Sequence, residues 1–151
     1  MIRYLLWGLA GLLLLSAVQP ASAQIIVTKN SSNDERIYMS ETLRRAEHKI
    51  MIRAIGRIRD DSAEWALTFR STDASDDVSI AVEGTSVEPQ RVSTDADVPG
   101  GMTTVFLAGE AFYEIANASS VALTIGGKDL TLPDQVLDDM RRILNRSGGR
   151  S

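Results

Sequence analysis

Residues 50–70 read Ile50-Met51-Ile52-Arg53-Ala54-Ile55-Gly56-Arg57-Ile58-Arg59-Asp60-Asp61-Ser62-Ala63-Glu64-Trp65-Ala66-Leu67-Thr68-Phe69-Arg70. In the second half, Ala63, Trp65, Leu67 and Phe69 fall on one face, and Glu64, Ala66, Thr68 and Arg70 fall on the other. A period of two with one apolar face marks a half-buried β-strand. In the first half, Ile50, Ile52, Ala54, Gly56 and Ile58 alternate with Met51, Arg53, Ile55 and Arg57. A helix from about Ser40 also fits residues 41–58, through Leu43, Ile50, Ala54 and Ile58. The recurrence of β-branched isoleucine favours the strand. Arg59-Asp60-Asp61-Ser62 then reads as a hairpin turn.

The same pattern continues outward from this hairpin. Val78, Ile80 and Val82 alternate as a strand, Gly84-Thr85-Ser86 turns the chain, and residues 87–92 read as a returning strand. Residues 102–107 form another. Residues 110–116 place Phe112, Ile115 and Ala116 at helical spacing, with Asn117 as a left-handed stop. Val121, Leu123 and Ile125 alternate, Gly126-Gly127 permits a tight reversal, and Leu130 and Leu132 return. A helix follows Pro133. Its early acids (Asp134, Asp138, Asp139) and late bases (Arg141, Arg142, Arg146) complement the helix dipole. Val136, Met140, Ile143 and Leu144 make its apolar stripe, with Asp138, Asp139 and Arg142 assigned to the opposite face. The fold class is α+β, mainly antiparallel β (a sheet or a sandwich of hairpins), with a short helix and a C-terminal helix. Strand-turn-strand order without βαβ alternation argues against a parallel sheet.

Residues 1–23 have the three parts of an export signal: Arg3 near the start, an apolar run from Tyr4 to Leu15, and Ala21-Ser22-Ala23 preceded by Pro20. The apolar run is short for a span of about 20 residues, so cleavage after Ala23 is expected, with the mature chain starting at Gln24. Removing 23 of 151 residues leaves 128, enough for one domain with one core. Arg3 is the one charge lost, which takes the net charge from −4 to −5. The division is therefore a signal peptide at 1–23, an irregular N-terminal segment at 24–40 in which Ile25-Ile26-Val27 could form a short edge strand, a single β-rich domain at 41–146, and a flexible tail at 147–151.

A mildly acidic chain carries no basic footprint for nucleic acid, and after cleavage no stable membrane span is expected. The sequence holds no cysteine, which excludes disulfides, zinc-thiolate sites and thiol nucleophiles. A cysteine-free exported chain suits a bacterial periplasm. The triplets beginning at Asn30, Asn117 and Asn145 match the glycosylation pattern, and in a bacterial protein they are chance matches.

The run Phe112-Tyr113-Glu114-Ile115-Ala116-Asn117-Ala118, then Val121-Ala122-Leu123-Thr124-Ile125-Gly126-Gly127, then Leu130-Thr131-Leu132-Pro133 and the terminal helix resembles a module of small exported bacterial proteins. Over about residues 103–145 it is distantly similar to the end of the invasion-associated locus B family. That resemblance implies a periplasmic, β-rich protein. It carries over no catalytic residue.

Each candidate for chemistry has a structural reading beside it. His48, the one histidine, lacks a nucleophile turn to serve and reads as solvated or structural. Asp73 with Asp76-Asp77, and Asp95 with Asp97, offer oxygen ligands for calcium, but neither matches a spaced calcium loop and both suit turns. Asp60-Asp61 reads the same way. Glu110 with Glu114, and Asp134 with Asp138, sit one helical turn apart in opening turns, where acids are favoured electrostatically. Arg44-Arg45 with Arg53, Arg57 and Arg59 form either an anion or partner surface or, with Glu47, Asp60 and Asp61 interspersed, a solvated face. No catalytic, cofactor-binding or metal residue is assigned, and no cofactor. The reading is a periplasmic or secreted non-enzymatic interaction or structural module with an envelope protein as partner. The alternative is a small envelope enzyme or ligand-binding protein with a carboxylate site.

Overall fold

The computed structural model describes residues 24–71 and 73–148. The expected export signal at 1–23 and the end of the tail at 149–151 lie outside the described residues.

Eleven strands and two α-helices follow one another among the described residues. They are β1 (Ile25–Asn30), β2 (Glu35–Ser40), β3 (Arg44–Arg45), β4 (Met51–Arg59), β5 (Ser62–Arg70), β6 (Val78–Val82), β7 (Thr85–Val87), β8 (Arg91–Asp95), β9 (Met102–Leu107), α1 (Gly109–Asn117), β10 (Val121–Ile125), β11 (Lys128–Thr131) and α2 (Asp134–Ser147). The large sheet has the order β1-β2-β4-β5-β9-β8, with β3 beside the first half of β4. The small sheet has the order β11-β10-β6-β7. Every ladder is antiparallel.

The β4–β5 hairpin is central because its apolar face runs unbroken across the large sheet. Ile52 lies opposite Phe69 and then Thr103, Ala54 opposite Leu67 and then Val105, and Gly56 opposite Trp65 and then Leu107. All are buried. These residues, the inward side chains of the small sheet and the stripes of both helices form one contiguous core. Trp65 stacks on Phe112 of α1 with ring centroids 4.9 Å apart. At Gly56 α2 packs tightly on the sheet, since a Cβ there would lie 2.7 Å from Trp65 and 2.9 Å from Ile143.

Several expectations change. Residues 24–40 are not irregular: they form the β1–β2 hairpin, whose second strand pairs with β4. Its polar side chains sit on an edge hairpin with Ile25 and Tyr38 turned inward, so composition alone disguises it. Residues 87–92 are not one strand. Val87 ends β7 in the small sheet, and the chain crosses to begin β8 at Arg91 in the large sheet. Asn117 is not a left-handed stop; it is the last residue of α1, and its Nδ2 donates to the Tyr113 carbonyl. Ser147 is not frayed, since α2 runs through it to a left-handed Gly148.

The stripe of α2 packs inward as Val136, Leu137, Met140, Ile143 and Leu144. Asp139, assigned to the exposed face, is 1% exposed. It lies three residues after Val136 and four before Ile143, in the middle of the buried arc. Its carboxylate accepts from Arg44 Nε at 2.8 Å and Arg44 Nη2 at 3.0 Å. No helix among the described residues is long and apolar enough to cross a membrane.

Candidate functional site

The alternation that buries one face of the large sheet presents the other to a groove of about 530 Å³. Three rows of side chains cross the strands. Met39, Ile55, Ala66, Phe106 and Arg91 lie opposite one another from β2 to β8. On one side of this apolar row stand Arg53, Thr68 and Thr104, followed by Met51, Arg70 and Met102. On the other side stands the pair Arg57–Glu64. Leu43 and Val98, from the segments after β2 and β8, line the groove from its flanks.

This geometry alters the half-buried reading of β5. Trp65, Ala66, Leu67, Thr68 and Phe69 are buried consecutively, because the outward residues Ala66 and Thr68 lie on the floor of the groove between β4 and β9.

The arginines of the groove fall into two kinds. Arg57 Nε lies 3.2 Å from Glu35 Oε1, and its Nη1 lies 3.1 Å from Glu64 Oε1. Arg91 is 3.7 Å from Glu64 Oε2 and stacks over the Phe106 ring at 3.8 Å from its centroid. These two are therefore matched by carboxylates. Arg53 donates from Nη2 to the Glu41 carbonyl at 3.1 Å and from Nη1 to Met39 Sδ at 3.9 Å, and its buried Nε has no partner. Arg70 donates from Nη2 to the Pro99 carbonyl at 2.9 Å. Neither Arg53 nor Arg70 faces a carboxylate among the described residues.

The arginine cluster read from the sequence is thus divided. Arg53 and Arg57 line the groove, and Arg45 and Arg59 are exposed and do not line it. Arg44 turns to Asp139, whose hydrogen bond, with the attraction of its charge, raises the Arg44 pKa against the opposing effect of burial. Arg70, Arg91 and the apolar row were not singled out as a site by sequence reasoning. The outward alternation of β4 and β5 carried the signal, but it needed the β5–β9 register to become a surface.

The other candidates lie elsewhere. His48 Nε2 donates to the Asp129 carbonyl at 2.9 Å, and Glu47 Oε2 accepts from Thr131 N at 3.2 Å. Together they tie the 3₁₀ turn Glu47–Lys49 to β11. Asp73 pairs with Lys128 at 3.2 Å, Asp95 accepts from the Asp97 amide at 3.0 Å, and Asp76 and Asp77 are exposed. Asp60 and Asp61 occupy the β4–β5 turn. Glu110, Glu114 and Asp134 are exposed, and Asp138 pairs with Arg141. No three His, Asp or Glu side chains among the described residues come together as a metal site.

Comparison with protein-family models, curated proteins and solved structures finds no match to this chain.

Proposed function

We propose that this chain is exported and acts outside the cytoplasm, in the periplasm, as a non-enzymatic binding module whose binding surface is the groove on the open face of the large sheet. The carrying observation is an apolar floor rimmed by arginines on a chain of net charge −4. Its volume, about 530 Å³, falls within the range of small-molecule sites, about 300 to 1,000 Å³. The one carboxylate lining it among the described residues, Glu64, is engaged by Arg57 and Arg91. That supports binding rather than acid–base work, which needs a carboxylate free to exchange a proton. Export rests on the three-part pattern of residues 1–23, and the resemblance of residues 103–145 to a periplasmic family is part of the same proposal.

Two measurements test this reading. Intact mass of exported material is expected to give a chain starting at Gln24, and retention of residues 1–23 overturns the export step. The uncharged fluorescent probe N-phenyl-1-naphthylamine is expected to bind saturably to the purified chain. Ala66→Phe, which fills the floor between Ile55 and Phe106, is expected to abolish that binding while the circular dichroism spectrum stays unchanged. Absence of saturable binding, or binding indifferent to Ala66→Phe, overturns the groove as the binding surface.

A further inference from the structure

The groove is asymmetric in its charge, and this narrows what it takes. Arg57 on one side of the apolar row, and Arg91 at its β8 end, are matched by Glu35 and Glu64. On the other side, Arg53 and Arg70 are held by neutral acceptors only. Thr68 lies opposite Arg53, and Arg70 is two residues further along β5. The two guanidinium-bearing residues are therefore diagonal cross-strand neighbours, about 7 to 8 Å apart at the backbone. Arg53 reaches toward the Glu41 carbonyl after β2 and Arg70 toward the Pro99 carbonyl before β9, so each turns from a neutral acceptor to meet one anion between them. Guanidinium groups are the side chains best shaped to grip carboxylate or phosphate oxygens in pairs. Arg53 also keeps an Nε–H that is buried with no partner, and a buried donor left unmade is costly until something accepts from it.

The apolar row beside this pair crosses four strands, from Met39 through Ile55 and Ala66 to Phe106. Neighbouring strands stand about 4.8 Å apart, so the row is about 14 Å long. It is narrow and linear, and three of its four members are aliphatic or thioether side chains. Methionine adapts its shape to a flexible chain, and Met39 and Met102 stand near opposite ends of the groove lining.

We infer that the groove binds a single-chain amphiphilic anion, its carboxylate or phosphate head held between Arg53 and Arg70 and its alkyl tail laid across Met39, Ile55, Ala66 and Phe106. This rests on the groove being the binding surface, and it adds the ligand class. The charge of the whole chain is negative, so the attraction is local to these two residues rather than a general affinity for anions.

The test displaces bound N-phenyl-1-naphthylamine from the purified chain with dodecanoate, dodecyl phosphate and uncharged dodecyl maltoside, with acetate and inorganic phosphate as tail-less controls. At least one of the two dodecyl anions is expected to displace the probe saturably, at concentrations well below those of dodecyl maltoside, while acetate and phosphate fail. Which anion competes better distinguishes a carboxylate from a phosphate head. Arg53→Gln and Arg70→Gln are each expected to weaken the anion about tenfold more than they weaken the uncharged probe. An unchanged circular dichroism spectrum is the control for folding. Displacement by dodecyl maltoside as strong as by the anions, or arginine variants that compete like the parent, overturns the inference while leaving the groove intact as a binding surface. If the probe itself does not bind, the groove reading falls first and the inference with it.

Discussion

Arg44 on β3 and Asp139 on α2, 95 residues apart in sequence, are joined by two parallel hydrogen bonds of 2.8 and 3.0 Å. The pair is unequal in burial. The Asp139 side chain is 1% exposed and that of Arg44 is 18% exposed. Losing one partner of such a pair costs about 3 to 5 kcal/mol when the other is left buried and charged. Arg44→Met strands a carboxylate that cannot reach water, whereas Asp139→Asn leaves a guanidinium that can bend outward. Urea unfolding is therefore expected to show the larger loss for Arg44→Met. Replacing both, as Arg44→Met with Asp139→Leu, is expected to recover most of it. The raised Arg44 pKa means this stabilisation is complete below the pKa of a free guanidinium and is lost only as the pH rises through the higher folded value. The arginine thus contributes no pH dependence near neutrality.

The stripe of α2 provides a second prediction. Met140 and Leu144 are 0% and 6% exposed, and cutting either to alanine is expected to cost about 2 to 5 kcal/mol. Asp138→Ala removes one exposed pairing with Arg141, a kind of interaction worth about 0 to 1 kcal/mol. Denaturant melts of the three variants compare them. Equal midpoints for all three would show that α2 is not a lid on the core.

Gly56 tests the closeness of that lid. Adding a single methyl group there intrudes on both Trp65 and Ile143, and overpacking of this kind costs about 1 to 3 kcal/mol. Gly56→Ala is expected to lower the melting temperature and to shift the tryptophan emission as Trp65 is displaced from Phe112. An unchanged spectrum would mean that α2 retreats freely from the sheet.

Chelation tests the acidic turns. Asp73 is committed to Lys128 and Asp95 to its own turn, so two of the aspartates that looked like oxygen ligands already have structural roles. Thermal melts with and without EDTA are expected to coincide. A lower melting temperature in EDTA would return these loops to consideration as a calcium site.

The antiparallel fold class was legible because alternation reports directly on which face is buried. This held most clearly for Trp65, Leu67 and Phe69, and for Val121, Leu123 and Ile125. What escaped was whatever depends on non-local pairing. Strand β1 carries exposed Ile26 and Val27 among polar neighbours, so the sequence offered at most a short edge strand at residues 25–27, and the pairing with β2 extends it to Asn30. The crossing between β7 and β8 leaves no mark in composition. Asp139 was misplaced because its chemistry was weighed above its position on the helical arc, and its partner Arg44 is remote in the chain. The groove was little legible: Arg53 and Arg57 were weighed as an anion or partner surface against the solvated face that interspersed acids favoured, and Arg70 and Phe106 join them only through register.

The C-terminal helix has a further consequence for the order of events. Arg146 Nη1 donates to the carbonyl of Ile25 at 3.0 Å, and Arg141 Nη1 donates to the Ala116 carbonyl at the end of α1 at 2.9 Å. The first strand and the last helix are thus fastened to each other across 121 positions. The face of the sheet that Ile143 of α2 covers at Gly56 and Trp65 stays open until residues 134–147 are in place. Long-range closure of this kind slows folding, and an open apolar sheet face is prone to aggregation until it is covered. A chain closed by its two ends stays pliable until the last helix docks.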